Sequence, residues 1–137
     1  MVQTVVALDV PPEGCCHNFV QGGLVVYGSH DSFVKLAHVS IWETRQTEWA
    51  TEVPTAPAAY PRYGNTVVGP PADKTWLRIV KRGDHYRAYT SQDGDHWVRG
   101  GVWVNHVADR PRIGLVSMGG AGFTARFFHV RVQRLAD

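Results

Sequence analysis

Long apolar runs are missing from this chain. None approaches the roughly 20 residues that a membrane-spanning helix needs, so no membrane partner is expected. The opening segment, MVQTVVALDV, lacks both the basic region and the cleavage site of a secretory leader. Charge of one sign is missing too: 14 Lys and Arg face 12 Asp and Glu, a formal net charge of +2, which exerts little pull on nucleic acid. Cysteine is scarce. Cys15 and Cys16 are adjacent, closer along the chain than ordinary disulfide geometry favours. They read first as two small loop thiols, with a strained vicinal disulfide as the alternative and no second ligand pair for a metal. The seven histidines are scattered without HxH or HExxH spacing, and no Gly-x-Ser-x-Gly elbow supplies an acyl-transfer nucleophile. Internal repeats, low-complexity tracts and linkers are absent as well, so the 137 residues read as a single domain spanning 1–137, expected to be a piece of a longer multidomain protein.

Alternation and turn residues are what the chain has. In Trp76-Leu77-Arg78-Ile79-Val80-Lys81, Leu77 and Ile79 point to one face and Trp76, Arg78 and Val80 to the other. Gly83-Asp84 turns this strand into His85–Ser91, and Asp93-Gly94 turns that one into His96-Trp97-Val98. Two hairpins in succession make an antiparallel meander. Further strands are expected at Val2–Val10, Val20–Tyr27, Phe33–Ser40, Ile41–Val53, Ile113–Met118 and Ala121–Leu135. Helix propensity favours a short helix over Glu43–Glu52, but its strand neighbours argue for strand. The proline-bearing stretch Pro54–Pro61, with Tyr60 and then Tyr63, reads as a loop or edge connection.

Many short strands and glycine-rich turns imply an all-β, two-sheet antiparallel sandwich of jelly-roll type. Its expected core is Leu24, Val26, Val34, Leu36, Leu77, Ile79, Val102, Val104, Ile113, Leu115, Val130 and Val132.

The segments GGLVVYGSHDSFVKL, WLRIVKRGDHYRAYTSQDGDHW and RIGLVSMGGAGFTARFFHVRV carry a family resemblance. An aliphatic strand ends in Tyr and returns as aromatic-Val-Lys-Leu. A Trp-Leu-Arg strand leads to a Tyr-x-x-Ser-x-Asp-Gly-x-x-Trp hairpin, and Gly-Leu and Ala-x-Phe strands close the pattern. This resembles the concanavalin A-like (laminin G-like) β-sandwich at the C-terminus of bacterial glycoside hydrolases of the β-xylosidase and arabinofuranosidase type. The resemblance implies an ancillary module that works beside a catalytic domain in a secreted, extracellular parent protein, with poly- or oligosaccharide of plant type as ligand. It implies no cofactor beyond a structural calcium ion, which related sandwiches often hold by turn carboxylates. The chain departs from the pattern at Phe128, where an acidic residue is common after Phe127, and in an opening strand before Val2 that is short or missing.

Sugar rings present an apolar CH face to flat aromatics and hydroxyls to planar polar groups. The candidate platforms are Trp76, Trp103, Trp42, Trp49 and Tyr89, with Arg78, Arg45, His30 and His38 as hydrogen-bonding partners. Trp76 and Arg78 share one strand face; the plainer alternative is rim cover for the Trp and an ion pair for the Arg. Trp103 faces outward if Val102 and Val104 face in. Trp42 and Trp49 lie in a polar segment suited to a solvated face, or to edge cover. Trp97, following an Asp-Gly turn, is expected to lock its hairpin against the core. Catalysis would need two facing carboxylates, whereas Asp31, Asp73, Asp84, Asp93, Asp95 and Asp109 sit in turns. The competing role is a structural or protein-interaction sandwich that packs on a catalytic neighbour without binding glycan.

Overall fold

The structure, a computed structural model, describes residues 1–10, 17–55, 62–120 and 122–136. Cys15, Cys16 and Tyr60 lie outside the described residues. Ten strands follow in chain order: β1 Val2–Asp9, β2 Val20–Ser29, β3 Ser32–Ile41, β4 Thr44–Val53, β5 Arg62–Val67, β6 Thr75–Arg82, β7 His85–Ser91, β8 Val98–Val104, β9 Arg112–Met118 and β10 Thr124–Val132. Among the described residues there is no helix. The strands form two antiparallel five-stranded sheets, ordered β10-β1-β6-β7-β8 (sheet A) and β5-β4-β3-β2-β9 (sheet B). The all-β sandwich is therefore what the chain adopts, and Glu43–Glu52 lies mostly in strand β4. Strand β5 was not expected; it follows the prolines directly and carries polar residues at most positions.

Sheet B is built on cross-strand apolar pairs: Leu24 lies opposite Leu36, Val26 opposite Val34, and Leu36 opposite Trp49. Sheet A answers with Val2 opposite Ile79, Thr4 opposite Leu77, and Ile79 opposite Ala88. The apolar side chains among these, with Val6, Val68, Tyr86 and Val107, form one core. Burial of each large aliphatic contributes about 1.5–3 kcal/mol.

Half of the expected core is elsewhere. Leu24, Val26, Val34, Leu36, Leu77 and Ile79 are buried, but Val102, Val104, Ile113, Leu115, Val130 and Val132 are exposed. All six of the latter belong to β8, β9 or β10, the outermost strands of their sheets, where the facing layer does not reach far enough to cover an inward side chain. On β8 the phase is also reversed. Val102 and Val104 face solvent, and Trp103 packs on the core opposite Tyr86. Val102, Trp103 and Val104 pair in register with Arg87, Tyr86 and His85, so the inward phase of buried Tyr86 carries across to Trp103 and the outward phase of His85 and Arg87 to the two valines. Turning Trp103 inward also buries the larger apolar surface.

Trp49 and Trp103 lock the layers to each other. The Trp49 indole N–H donates to the carbonyl of Gly101 at 3.2 Å, and the Trp103 indole N–H donates to the carbonyl of Trp49 at 3.3 Å. Each bond runs between a strand of sheet B and one of sheet A, so both buried indoles are satisfied.

Candidate functional site

The outer face of sheet A brings together the largest group of expected site residues. Alternation in β6 sends Leu77 and Ile79 inward at 0% and 1% exposure, which leaves Trp76, Arg78 and Val80 half-buried on the outside. Antiparallel pairing then sets Tyr89 of β7 and Gln3 of β1 on either side of Arg78, and Ser91 and Val5 on either side of Trp76. The Arg78 Nε donates to Gln3 Oε1 at 2.8 Å.

The connection between β7 and β8, Ser91 to Trp97, folds back over this face. Its shape is wired by short bonds. Asp93 Oδ1 accepts the N–H groups of Asp95 and His96, both at 2.8 Å, and Ser91 Oγ accepts that of Gly94 at 2.8 Å. The backbone N–H of His96, and then its side chain, hold the Asp93 carboxyl well below the usual range; Asp93 in return raises His96. Gly94 is obligatory at the tip. Its φ is +85°, and a Cβ there would come within 2.8 Å of the Trp76 indole nitrogen. The turn thus rests on Trp76. Trp97 closes the arrangement: its indole N–H donates to the Gly94 carbonyl at 3.2 Å, and the Arg78 guanidinium lies 3.8 Å from its ring centroid, a cation–π contact. Trp97 does lock its hairpin, but on the outside of sheet A rather than against the core. Arg78 pairs with Gln3 and Trp97, not with a carboxylate.

Beside this cluster runs a groove of about 370 Å³ lined by Val80, Arg82, His85, Arg87, Tyr89 and Val102, floored by Tyr86. That size suits one small ligand. Its wall carries one flat phenol ring, two guanidinium groups and an imidazole beside apolar Val80 and Val102, a mixture that matches the two-sided chemistry of a sugar. On the same face Phe128, which stands where the related pattern has an acid, lies opposite Val5 and under the ammonium of Lys74 at 4.7 Å.

The other expected site residues are not on this face. Trp49 is completely buried and Trp103 is half-buried against the core, so neither offers a platform; the expectation that Trp103 faces outward is overturned by the phase of β8. Trp42 is 61% exposed in the β3–β4 turn at a φ of +52°, its backbone N–H held by the Asn18 side chain. His30 is exposed in the β2–β3 turn beside the Tyr27 hydroxyl, 3.1 Å away. The ten residues of β3 put those two turns at opposite ends of the sandwich, roughly 30 Å apart. Arg45 donates to Ser40 Oγ at 2.8 Å, and His38 is buried.

Sequence reasoning missed one polar cluster, on sheet B. Lys35 and Glu48, 7% and 6% exposed, form an ion pair at 3.0 Å. Lys35 also donates to Gln21 Oε1 at 2.6 Å, while Tyr63 and Asn65 donate to the Glu48 carboxylate at 2.9 and 3.1 Å. Burial alone would raise Glu48, but Lys35, Asn65 and Tyr63 outweigh it and hold the acid below its ordinary value. Only the register of β3, β4 and β5 assembles this set. Among the described residues no three His, Cys, Asp or Glu side chains converge as metal ligands.

No family model matches the chain, and no curated protein matches its sequence. Solved structures do match its shape. A functionally unknown protein from Saccharomyces cerevisiae is 16% identical with a TM-score of 0.71, covering 98% of this chain and 69% of that one. The GH43 protein BlXynB from Bacillus licheniformis is 19% identical with a TM-score of 0.65, and its K247S mutant has 0.66. Each of these matches covers 92% of this chain and 26% of the other. The fold is shared. This chain spans about a quarter of the GH43 chains it resembles.

Proposed function

We propose that this domain is a non-catalytic, carbohydrate-binding ancillary module of a secreted polysaccharide-degrading enzyme, with its ligand on the outer face of sheet A. The observation that carries the reading is the convergence of Trp76, Arg78, Tyr89 and Trp97 beside a groove that combines aromatic, guanidinium and aliphatic surfaces. The GH43 likeness supplies the setting, since the matching part is a minor share of a longer chain. A sugar ring would stack on Tyr89, and Arg87 and His85 would face its hydroxyls. Trp76, Arg78 and Trp97 would hold that wall rigid rather than release their contacts.

Calorimetry with xylo- and arabino-oligosaccharides tests this reading. Tyr89→Ala should abolish binding, and Trp97→Ala should weaken it by about tenfold, as expected for loss of a supporting contact of about 1.4 kcal/mol. Failure of the intact domain to bind xylan, arabinan, glucan or fructan would sink it. One observation favours a second reading, a structural sandwich that packs this face on a catalytic neighbour: Arg78 is already engaged by Gln3 and Trp97, so the cluster is stable without a ligand.

A further inference from the structure

His38 is an inward-facing polar side chain that its neighbours leave unserved. It lies on β3 opposite Gly22 of β2 and Thr47 of β4, on the same face of sheet B as the core residues Leu36 and Trp49. It is 5% exposed, and among the described residues neither ring nitrogen has a partner. The cross-strand neighbours cannot supply one. Gly22 has no side chain, and apolar Val6 and Ala125 fill the space beside it. The Thr47 hydroxyl is committed to the carbonyls of Val68 and Gly69. A neutral imidazole carries one N–H donor and one acceptor nitrogen, and burying both unmet is costly.

What His38 does line is a cavity. About 240 Å³ in size, it lies between the end of β1, at Leu8 and Val10, and the β5–β6 connection, at Pro71, Ala72 and Asp73; Arg45 completes its wall. That wall is pinned. Gln92 donates to the Pro71 carbonyl at 2.9 Å, and the Ala72 N–H donates to Thr75 Oγ1 at 3.0 Å. Arg45 is set by Ser40 Oγ at 2.8 Å and by the Val10 carbonyl at 3.4 Å. A preorganised cavity with a buried donor and acceptor in its wall is what a small-molecule site requires.

The chemistry of the wall narrows the occupant. Arg45 and Asp73 bring opposite charges to one small space, so an anion would meet the carboxylate and a cation the guanidinium. Arg45 only donates, an ionised Asp73 only accepts, and His38 does one of each. A hydroxyl answers all three because it donates and accepts at once. Leu8, Val10, Pro71 and Ala72 offer aliphatic surface to the carbons that carry such hydroxyls. The volume falls below the range of drug-sized pockets, which leaves a molecule no larger than a single sugar ring.

We propose that this cavity binds one neutral polyhydroxy molecule, a free monosaccharide or the terminal unit of a chain, with a hydroxyl bonded to His38 and its neighbours shared between Arg45 and Asp73. The site is separate from the sheet A groove: β6 starts beside it at Thr75 and reaches the groove only at Val80 and Arg82. It does not rest on that groove binding sugar.

The test titrates the whole chain at pH 7 with D-xylose, L-arabinose and xylobiose, and with acetate as an anionic counterpart. Nitrogen NMR follows the His38 ring, and the Ala72 amide serves as reporter in the variants. At least one sugar should shift both saturably, with a midpoint on the order of 1 mM as suits so small a ligand, and acetate should not. Tighter binding of xylobiose than of xylose assigns a chain end; equal binding assigns the free sugar. His38→Leu should lower affinity at least about tenfold, and so should Asp73→Ala, at an exposed position where folding is not at stake. His38→Gln, which keeps a donor and an acceptor, should bind more tightly than His38→Leu. Tyr89→Ala, in the other groove, should leave the titration unchanged, so the two sites fail or succeed separately. The proposal is overturned if no sugar moves the His38 nitrogens, if acetate moves them as strongly, if Tyr89→Ala abolishes the shifts, or if His38→Leu and Asp73→Ala bind like the parent.

Discussion

Acid should destabilise this protein through His38 before it does so through any carboxylate. His38 is 5% exposed on β3 and, among the described residues, neither ring nitrogen has a partner. Burial, and then the nearby Arg45 charge, lower it from 6.5 to about 4; Asp73 lines the same cavity without bonding the ring. The sign follows from proton counting. Between pH 6.5 and about 4 the unfolded chain holds a proton on this imidazole that the folded chain refuses, so stability falls as pH falls through that window and is fully present above it. At about 1.4 kcal/mol per unit, the full window is worth roughly 3 kcal/mol and the step from pH 6.5 to pH 5 about 2 kcal/mol. Urea unfolding followed by tryptophan emission at pH 7, 6 and 5 reads this as a falling midpoint. His38→Leu deletes the proton site together with two unsatisfied buried nitrogens, so it should match or exceed the parent at pH 7 and show a much smaller loss at pH 5. Exposed His96 and His106, both raised by neighbouring aspartates, act in the opposite sense and cancel in the comparison. A pH 7 to pH 5 loss in His38→Leu as large as the parent's would refute the reasoning.

Removing one member of the sheet B ion pair should be costly. Lys35→Met leaves Glu48 buried without its cation and should destabilise by about 3–5 kcal/mol in urea melts, while Lys35→Met/Glu48→Leu should recover most of it. Gly23→Ala, whose new Cβ would lie 2.1 Å from the Leu36 carbonyl oxygen, should cost about 1–3 kcal/mol. Gly94→Ala should cost more than Gly83→Ala, about 2–3 kcal/mol, because it combines a positive φ with contact on Trp76. Gly83→Ala, at φ +58° with nothing within 4 Å, should cost only about 1–2 kcal/mol. Thermal melts rank the three, and a Gly83→Ala loss equal to that of Gly94→Ala would contradict the packing account.

Strand existence was legible in the sequence because the period of two is a local property; β6 emerged with its faces correctly assigned. Burial at the margins was not. Ile113 and Leu115 alternate just as Leu77 and Ile79 do, but β9 is an edge and β6 lies inside its sheet, a distinction set by strand order rather than by any neighbour in the chain. Val102-Trp103-Val104 offered two phases with apolar residues on both, and the cost of exposing an indole was the available signal for the correct one. In the candidate site, Trp76, Arg78 and Tyr89 could be grouped by hairpin pairing alone. The role of Trp97 could not, since it depends on a turn folding back over the sheet. Lys35 and Glu48 are thirteen positions apart, and nothing short of the β3–β4 register brings them together.

The place of β1 between β10 and β6 has a kinetic consequence. The first strand to be synthesised must wait for the sixth and the last before either of its edges is paired, and until then Val2, Val5 and Val6 remain wet. Closing so long a loop makes assembly slow, on the order of milliseconds to seconds for sandwiches of this kind. A ribosome-bound chain that stops short of Thr124 would therefore display β1 half-paired, a state open to capture by chaperones or to sticking to its own kind.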